Sequence, residues 1–211
     1  MKALVGISGA PAVRVIDSIW LDFTTACNRK CEHCCCNIPN RQAVNYSWDY
    51  FEHLARYVYG VRRIHLTGGE ATAHPKFAKF VPRLKELFGC ELLTLWTNGF
   101  RIRENAHVLH HFDDIFGTLY DDNAAEIEWM VENVGATYLN GDTHVNRAHR
   151  GGGNPCGRGR SDAMVIYSDG RLFPCCVGPG IPGAQSIKPC DEWRTKVLAV
   201  PLPCKDCWFS E

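Results

Sequence analysis

Three cysteines on one short stretch, Cys27, Cys31 and Cys34, follow the spacing C-x3-C-x2-C. Three thiolates on one loop can hold three irons of a 4Fe-4S cube and leave the fourth iron without a protein ligand. An open coordination position is what reactive metal sites keep and structural sites close. The same stretch carries Cys35 and Cys36. With either as a fourth thiolate the set would also serve a structural zinc ion, although zinc sites usually pair two C-x2-C units far apart in sequence. The chain holds 12 cysteines in 211 residues. Its N-terminus lacks the long apolar block of a secretion signal, so we expect a cytoplasmic protein with reduced thiols. Clustered cysteines in that setting point to metal or redox chemistry rather than to six disulfides.

A second unusual loop is Thr67-Gly68-Gly69-Glu70, at the end of the next strand-like run. The spacing of the three cysteines just after a first strand, together with Gly68-Gly69-Glu70 after a second, resembles the radical S-adenosylmethionine (SAM) superfamily over residues 18–142. The resemblance implies that the amino and carboxylate groups of SAM chelate the open iron. It implies that Gly68 and Gly69 offer backbone carbonyls, and Glu70 its carboxylate, to the SAM ammonium. On this view a Cβ at either glycine would block that approach. His33 matches the position beside the adenine, and Asn98, at the end of a third strand, is a further candidate for the SAM pocket. Tyr120 and Asp121, after the fourth strand, are where later ribose and adenine contacts would fall.

A second cysteine set lies toward the C-terminus. Cys156, Gly170 and Cys175 follow C-x13-G-x4-C around a hairpin signal, and Cys204-x2-Cys207 comes later. This resembles the SPASM and twitch domains that carry auxiliary Fe–S clusters, and implies a second 4Fe-4S cluster on Cys156, Cys175, Cys204 and Cys207. By ligand pattern alone the shorter twitch form of aminoglycoside-pathway dehydrogenases fits best. Cys176 and Cys190 are possible substitutes, and a zinc knuckle built from the same residues is the structural alternative. Four thiolates leave no open iron, so such a cluster would pass electrons or staple a small appendage.

The elements that must position these loops read as alternating strands and helices. Ser18 to Thr24 alternates, with Ile19, Leu21 and Phe23 on one face. Ser47 caps a helix whose apolar residues are Trp48, Phe51, Leu54, Ala55 and Val58. Val61 to Leu66, Glu91 to Trp96, Asp114 to Tyr120 and Thr137 to Leu139 are the further strands. Helices are expected at Pro75 to Phe88, Arg103 to His111 and Asn123 to Val134. The rhythm predicts an α/β fold, a parallel sheet curling into a partial (β/α) barrel over residues 1–145, with a small Cys-rich hairpin domain at 146–211. The loops 25–46, 67–74 and 97–102 all follow strands and should meet at one end of the barrel. Met164 to Tyr167 and Arg171 to Phe173 flank an Asp-Gly turn and read as the hairpin.

Charge and hydropathy narrow the function classes. Hydrophobic residues make up 45%, charged residues 22%, and the formal net charge is zero. No whole-molecule field draws the chain to nucleic acid or an anionic membrane, and no apolar run suits a membrane span. The basic stretch with Arg147, Arg150, Arg158 and Arg160 is a solvated loop or a site for an anionic substrate group. The resemblance implies an enzyme that cleaves SAM reductively to a 5′-deoxyadenosyl radical and abstracts a hydrogen from a small-molecule, nucleotide or peptide substrate, in a net oxidation or rearrangement. An external one-electron donor such as a flavodoxin or ferredoxin would supply the electron. The competing classes are an electron-transfer Fe–S protein without substrate and a zinc-dependent structural module.

Overall fold

The computed structural model describes residues 17–31, 34, 38–140, 163–166, 172–173, 186–188, 190, 192 and 196. Five parallel strands, β1 (Ser18–Thr24), β2 (Arg63–Gly68), β3 (Leu92–Thr97), β4 (Asp114–Leu119) and β5 (Thr137–Asn140), lie side by side in sequence order. Beyond β1 the sheet continues with β6 (Ala163–Ile166), parallel to it, and β7 (Leu172–Phe173), antiparallel to β6. The β6–β7 pair is the hairpin expected around the Asp-Gly turn, whose residues lie outside the described ones.

Each connecting helix has a local cause. α1 (Trp48–Val58) starts where the Ser47 hydroxyl accepts the Tyr50 N–H at 3.2 Å. α2 (Phe77–Phe88) ends at Gly89 and α3 (Ala124–Val134) at Gly135, both in the left-handed conformation that glycine adopts cheaply. The segment expected as a helix over Arg103 to His111 is instead a 3-10 helix at Ala106–His111. It is built from i to i+3 bonds such as Val108 N–H to Asn105 O at 3.0 Å. Its buried residues are Val108 and Leu109, and the turns that precede it bury Ile102.

Because the strands march in one direction from β1 to β5, right-handed crossovers place all the helices on one face. That face is the core. Ile19, Leu21, Phe23, Ile64, Leu66, Leu93 and Leu95 of the strands pack with Phe51, Leu54, Phe77, Phe80 and Leu84 of α1 and α2. The alternate residues, Trp20 and Asp22 on β1, His65 on β2, Trp96 on β3 and Phe116 on β4, turn away from the helices onto the inner face of the partial barrel. Among the described residues no helix is long and apolar enough to cross a membrane.

Candidate active site

Strand β1 runs directly into the loop that bears the cysteines. The loop is closed at its base by threonines. Thr25 N–H donates to Val44 O at 2.9 Å, and the Thr25 hydroxyl donates to Gln42 O at 2.7 Å while accepting Val44 N–H at 2.6 Å. The Thr24 hydroxyl lies 2.7 Å from Asn45 Oδ1 and accepts the Ala26 N–H at 3.0 Å. A buried histidine fixes the far end. His74 Nδ1 accepts the Lys76 N–H at 3.0 Å, so its Nε2–H donates to Tyr46 O at 2.9 Å. Burial holds this ring below the ordinary histidine range, which keeps it neutral.

At the end of β2 the two glycines bring the chain against that loop. Gly69 N–H donates to Thr24 O at 2.7 Å and Glu70 N–H to Ala26 O at 2.8 Å. A Cβ on Gly68 would sit 2.2 Å from Thr24 O, at φ +124°, and one on Gly69 would sit 2.2 Å from Ala26 O. The structure thus gives both glycines a reason within the chain itself: a side chain would push the cysteine loop away from β2.

Glu70 is 1% exposed. Its Oε1 accepts the Thr72 N–H at 3.1 Å and the Thr72 and Thr97 hydroxyls at 2.7 Å each, and its Oε2 accepts the Asn98 N–H at 2.7 Å. Burial raises this carboxyl above its ordinary range, against the pull of those four donors, Asn98 N–H first. The carboxylate therefore ties the end of β3 to the end of β2, work that the sequence reading had not assigned to it.

The ends of β3 and β4 complete the ring of loops. Asn98 donates from Nδ2 to Asn28 Oδ1 at 3.0 Å, inside the C-x3-C segment. Asn123, at the start of α3, donates to Asn98 O at 2.7 Å and to Thr118 O at 2.9 Å, and accepts the Tyr120 N–H at 2.7 Å. Arg29 lies over the Tyr120 ring at 4.2 Å and pairs with Asp122. The Cys31 thiol donates to the Tyr120 hydroxyl at 3.8 Å. The three strand-end loops expected to meet do so, and the loop after β4 joins them.

Cys27, Cys31 and Cys34 are free thiols, each partly exposed. Backbone N–H groups approach two of the sulfurs, Arg29 N–H to Cys27 at 3.4 Å and Ile38 N–H to Cys34 at 3.5 Å. Burial pushes the Cys27 thiol up to about 11, against the Arg29 N–H, and the nearby Glu70, Cys34 and Cys31 add to the rise. Cys90, by contrast, is buried in the apolar core just before β3. Among the described residues no three His, Cys, Asp or Glu side chains converge as ligands of a single metal ion. Thiolates sharing one zinc at about 2.3 Å would lie about 3.8 Å apart, tighter than a cuboidal cluster needs, since it spreads its ligands over several irons.

The remaining sequence candidates, His33, Cys35, Cys36, Cys156, Cys175, Cys176, Cys204 and Cys207, and the arginines from 147 to 160, lie outside the described residues. Sequence reasoning missed Asn28, Arg29, Asp122 and Asn123. Their only sequence signal is position: Asn28 and Arg29 fall within the cysteine loop, and Asp122 and Asn123 follow directly on Tyr120 and Asp121.

A sheet of this order with its loops so gathered defines an α/β partial barrel whose site lies at the C-terminal ends of the strands. Residues 21–122 match the radical SAM superfamily model. Curated relatives include the GTP 3′,8-cyclases of Nautilia profundicola and Staphylococcus carnosus. The first is 31% identical over 107 residues, 46% of this chain and 32% of the relative; the second is 29% identical over 109 residues, 46% and 31%. The chain thus spans about a third of the length of these relatives. Among solved structures, BtrN in complex with AdoMet and 2-DOIA superposes with a TM-score of 0.66 at 16% identity, covering 87% of this chain and 82% of BtrN. Streptococcus suis SuiB bound to the precursor peptide SuiA gives 0.54 at 13% identity, covering 93% and 70%. Both share the fold. The superfamily implies a 4Fe-4S cluster and SAM, and three free thiols on one loop, two with N–H groups directed at sulfur, fit that cluster chemically.

Proposed function

We propose that this protein is a radical SAM enzyme whose Cys27, Cys31 and Cys34 hold the SAM-binding 4Fe-4S cluster, with SAM bound beside Gly68, Gly69, Glu70, Asn98 and His33. The reading is carried by one observation: the cysteine loop is tied at its base, Thr24 and Ala26, to the N–H groups of Gly69 and Glu70, and at Asn28 to the Asn98 side chain, at the open end of the barrel. When bound, cluster and SAM supply reductive cleavage to a 5′-deoxyadenosyl radical and abstraction of a substrate hydrogen.

The chain's own residues hold and orient. Gly68 and Gly69 admit the cysteine loop against β2, and Glu70 fixes the end of β3. The N–H groups of Arg29 and Ile38 stabilise negative sulfur at Cys27 and Cys34, as a ligating thiolate requires. Tyr120 covers Cys31 with its hydroxyl and supports the Arg29 guanidinium with its ring.

Residues 146–211 are proposed as a twitch- or SPASM-like unit, with Cys156, Cys175, Cys204 and Cys207 on a second 4Fe-4S cluster. That cluster would accept an electron from the substrate radical in a net oxidation. The relatives' names span a nucleotide cyclase, a complex with 2-DOIA and a complex with a precursor peptide, so the reaction here is an oxidation or a rearrangement of a substrate from one of those classes. The electron donor is a flavodoxin or ferredoxin and the compartment the cytoplasm.

The test is anaerobic reconstitution followed by reduction with dithionite in the presence of SAM. About eight irons per chain are expected, about half lost when Cys27, Cys31 and Cys34 are all changed to Ala, and wild type should release 5′-deoxyadenosine. A zinc-only protein without charge-transfer absorption overturns both cluster assignments. Cleavage that survives the triple change overturns the first.

A further inference from the structure

The inner face of the sheet carries features that holding a cluster and SAM does not use. Trp20, His65, Trp96 and Phe116, from four neighbouring strands, form a half-buried aromatic band. Trp20 stacks on His65 and Trp96 on Phe116, each with centroids 4.6 Å apart, and Trp20 meets Trp96 at 5.0 Å. On the same face of β1, two residues nearer the cysteine loop, stands Asp22, 1% exposed.

Asp22 is paired in an incomplete way. Both terminal nitrogens of Arg41, from the cysteine loop, lie 3.3 Å from the same oxygen, Oδ2. A guanidinium usually spreads its fork over both carboxylate oxygens. Here Oδ1 is buried and has no hydrogen-bond partner among the described residues. A buried acceptor left empty is costly, and native structures keep few of them without a reason.

The charges on this face are matched. Arg63 answers Asp114 and the Thr94 hydroxyl, and Arg41 answers Asp22. His65 accepts the Trp96 Nε1–H at Nδ1, 3.3 Å away, so its ring is neutral with the proton on Nε2. A triphosphate would need cationic groups not already committed to carboxylates, and the described inner face does not present them.

We propose that the inner face binds a compact, non-phosphorylated ring compound, its ring face against the Trp20–Trp96 band and a hydroxyl or ammonium donor on Asp22 Oδ1. This rests on the radical SAM reading above and assigns its substrate class. It separates the chain from relatives named for GTP. An aromatic floor favours the C–H face of a saturated ring or the plane of an unsaturated one, and a carboxylate oxygen selects the donor.

The experiment uses the full reconstituted chain with SAM and no reductant. Tryptophan fluorescence is followed during titration with glucosamine, glucose, myo-inositol, guanosine and GTP. Saturable quenching by at least one non-phosphorylated compound is expected, weakened tenfold or more by Asp22→Asn. Glucosamine binding well above glucose identifies an ammonium donor, and equal binding a hydroxyl. If Asp22→Asn does not fold, the double change of Asp22→Asn with Arg41→Gln removes both members of the pair and serves instead. Saturation by GTP alone, no saturation by any probe, or equal affinity in the variant overturns the proposal. Failure of the cofactor reading shows separately, as wild-type protein that yields no 5′-deoxyadenosine once dithionite is added.

Discussion

Replacing Glu70 by Ala should cost stability before it costs anything else. The carboxylate is fully buried and accepts four hydrogen bonds. The two hydroxyl donors can turn to other acceptors, as Thr72 already lies against Phe100 O. The backbone N–H groups of Thr72 and Asn98 cannot. Each buried N–H left alone costs about 1–3 kcal/mol, so the pair gives about 2–6 kcal/mol, reduced by no longer burying a carboxylate. The expected net loss is about 3 kcal/mol, a large share of the roughly 5–15 kcal/mol of an ordinary domain. Glu70→Gln keeps the shape and the Oε1 acceptor but sets an NH2 against the Asn98 N–H, for a loss of about 2 kcal/mol. Urea unfolding of the metal-free chain under anaerobic reducing conditions, read by far-UV circular dichroism, measures both. SAM affinity is measured in parallel on the reconstituted proteins. If both variants unfold within about 0.5 kcal/mol of wild type while SAM binding falls at least tenfold, the carboxylate is a ligand of SAM and not a tie between loops.

Gly69→Ala should lower iron incorporation and destabilise the chain by more than about 3 kcal/mol, because its Cβ would sit 2.2 Å from a backbone carbonyl; normal iron content and an unshifted urea midpoint would refute this. Asp22 and His65 should give pH profiles of opposite sign. Burial raises Asp22 to about 6, so the folded state binds the extra proton and its contribution to stability falls by about 3 kcal/mol as pH rises from about 4 to 6. Burial, then Arg63, lowers His65 to about 4, so its contribution is lost as pH falls from about 6.5 to 4. Relative to wild type, Asp22→Asn should therefore gain stability with rising pH and His65→Gln lose it; slopes of the same sign in urea midpoints from pH 4 to 7 would contradict the assignment. Tyr120→Phe removes the hydroxyl 3.8 Å from Cys31 and should move the cluster's reduction potential to a more negative value; an unchanged potential in an EPR-monitored titration would mean that the hydroxyl does not reach the ligating sulfur.

What the sequence made legible was whatever local pattern controls. Alternation in Ser18 to Thr24 and the helical spacing of Phe51, Leu54 and Val58 placed β1 and α1 within a residue or two, because one face of each had to be apolar. The gathering of the loops followed from the strand–helix order. What stayed hidden depends on groups far apart in the chain. Asn28 meets Asn98 across 70 residues, and Arg29 meets Asp122 across 93. Small polar residues in loops give no sign of their partners. Glu70 shows the same limit: its type suggested a ligand for an ammonium, but its burial and four donors come only from the packing of β2 against β3.

Those long-range bonds bear on how the site is assembled. Ordering backbone costs roughly 1–2 kcal/mol per residue, and the sequence 24–31 with 38–46 is too polar to recover that by apolar burial alone. Its base is recovered through Thr24, Thr25 and His74, and Asn28 and Arg29 are held by Asn98, Tyr120 and Asp122. These contacts run from one part of the polypeptide to another and set the backbone on both sides of Cys27. Cys31 and Cys34 are tied to each other and to the loop around them: the Cys34 N–H donates to Cys31 O at 3.3 Å, the Ile38 N–H points at the Cys34 sulfur, and the Cys31 thiol reaches the Tyr120 hydroxyl. A frame of this kind limits the entropy that binding at the loop must still remove, which is the advantage of holding a site on rigid strand ends.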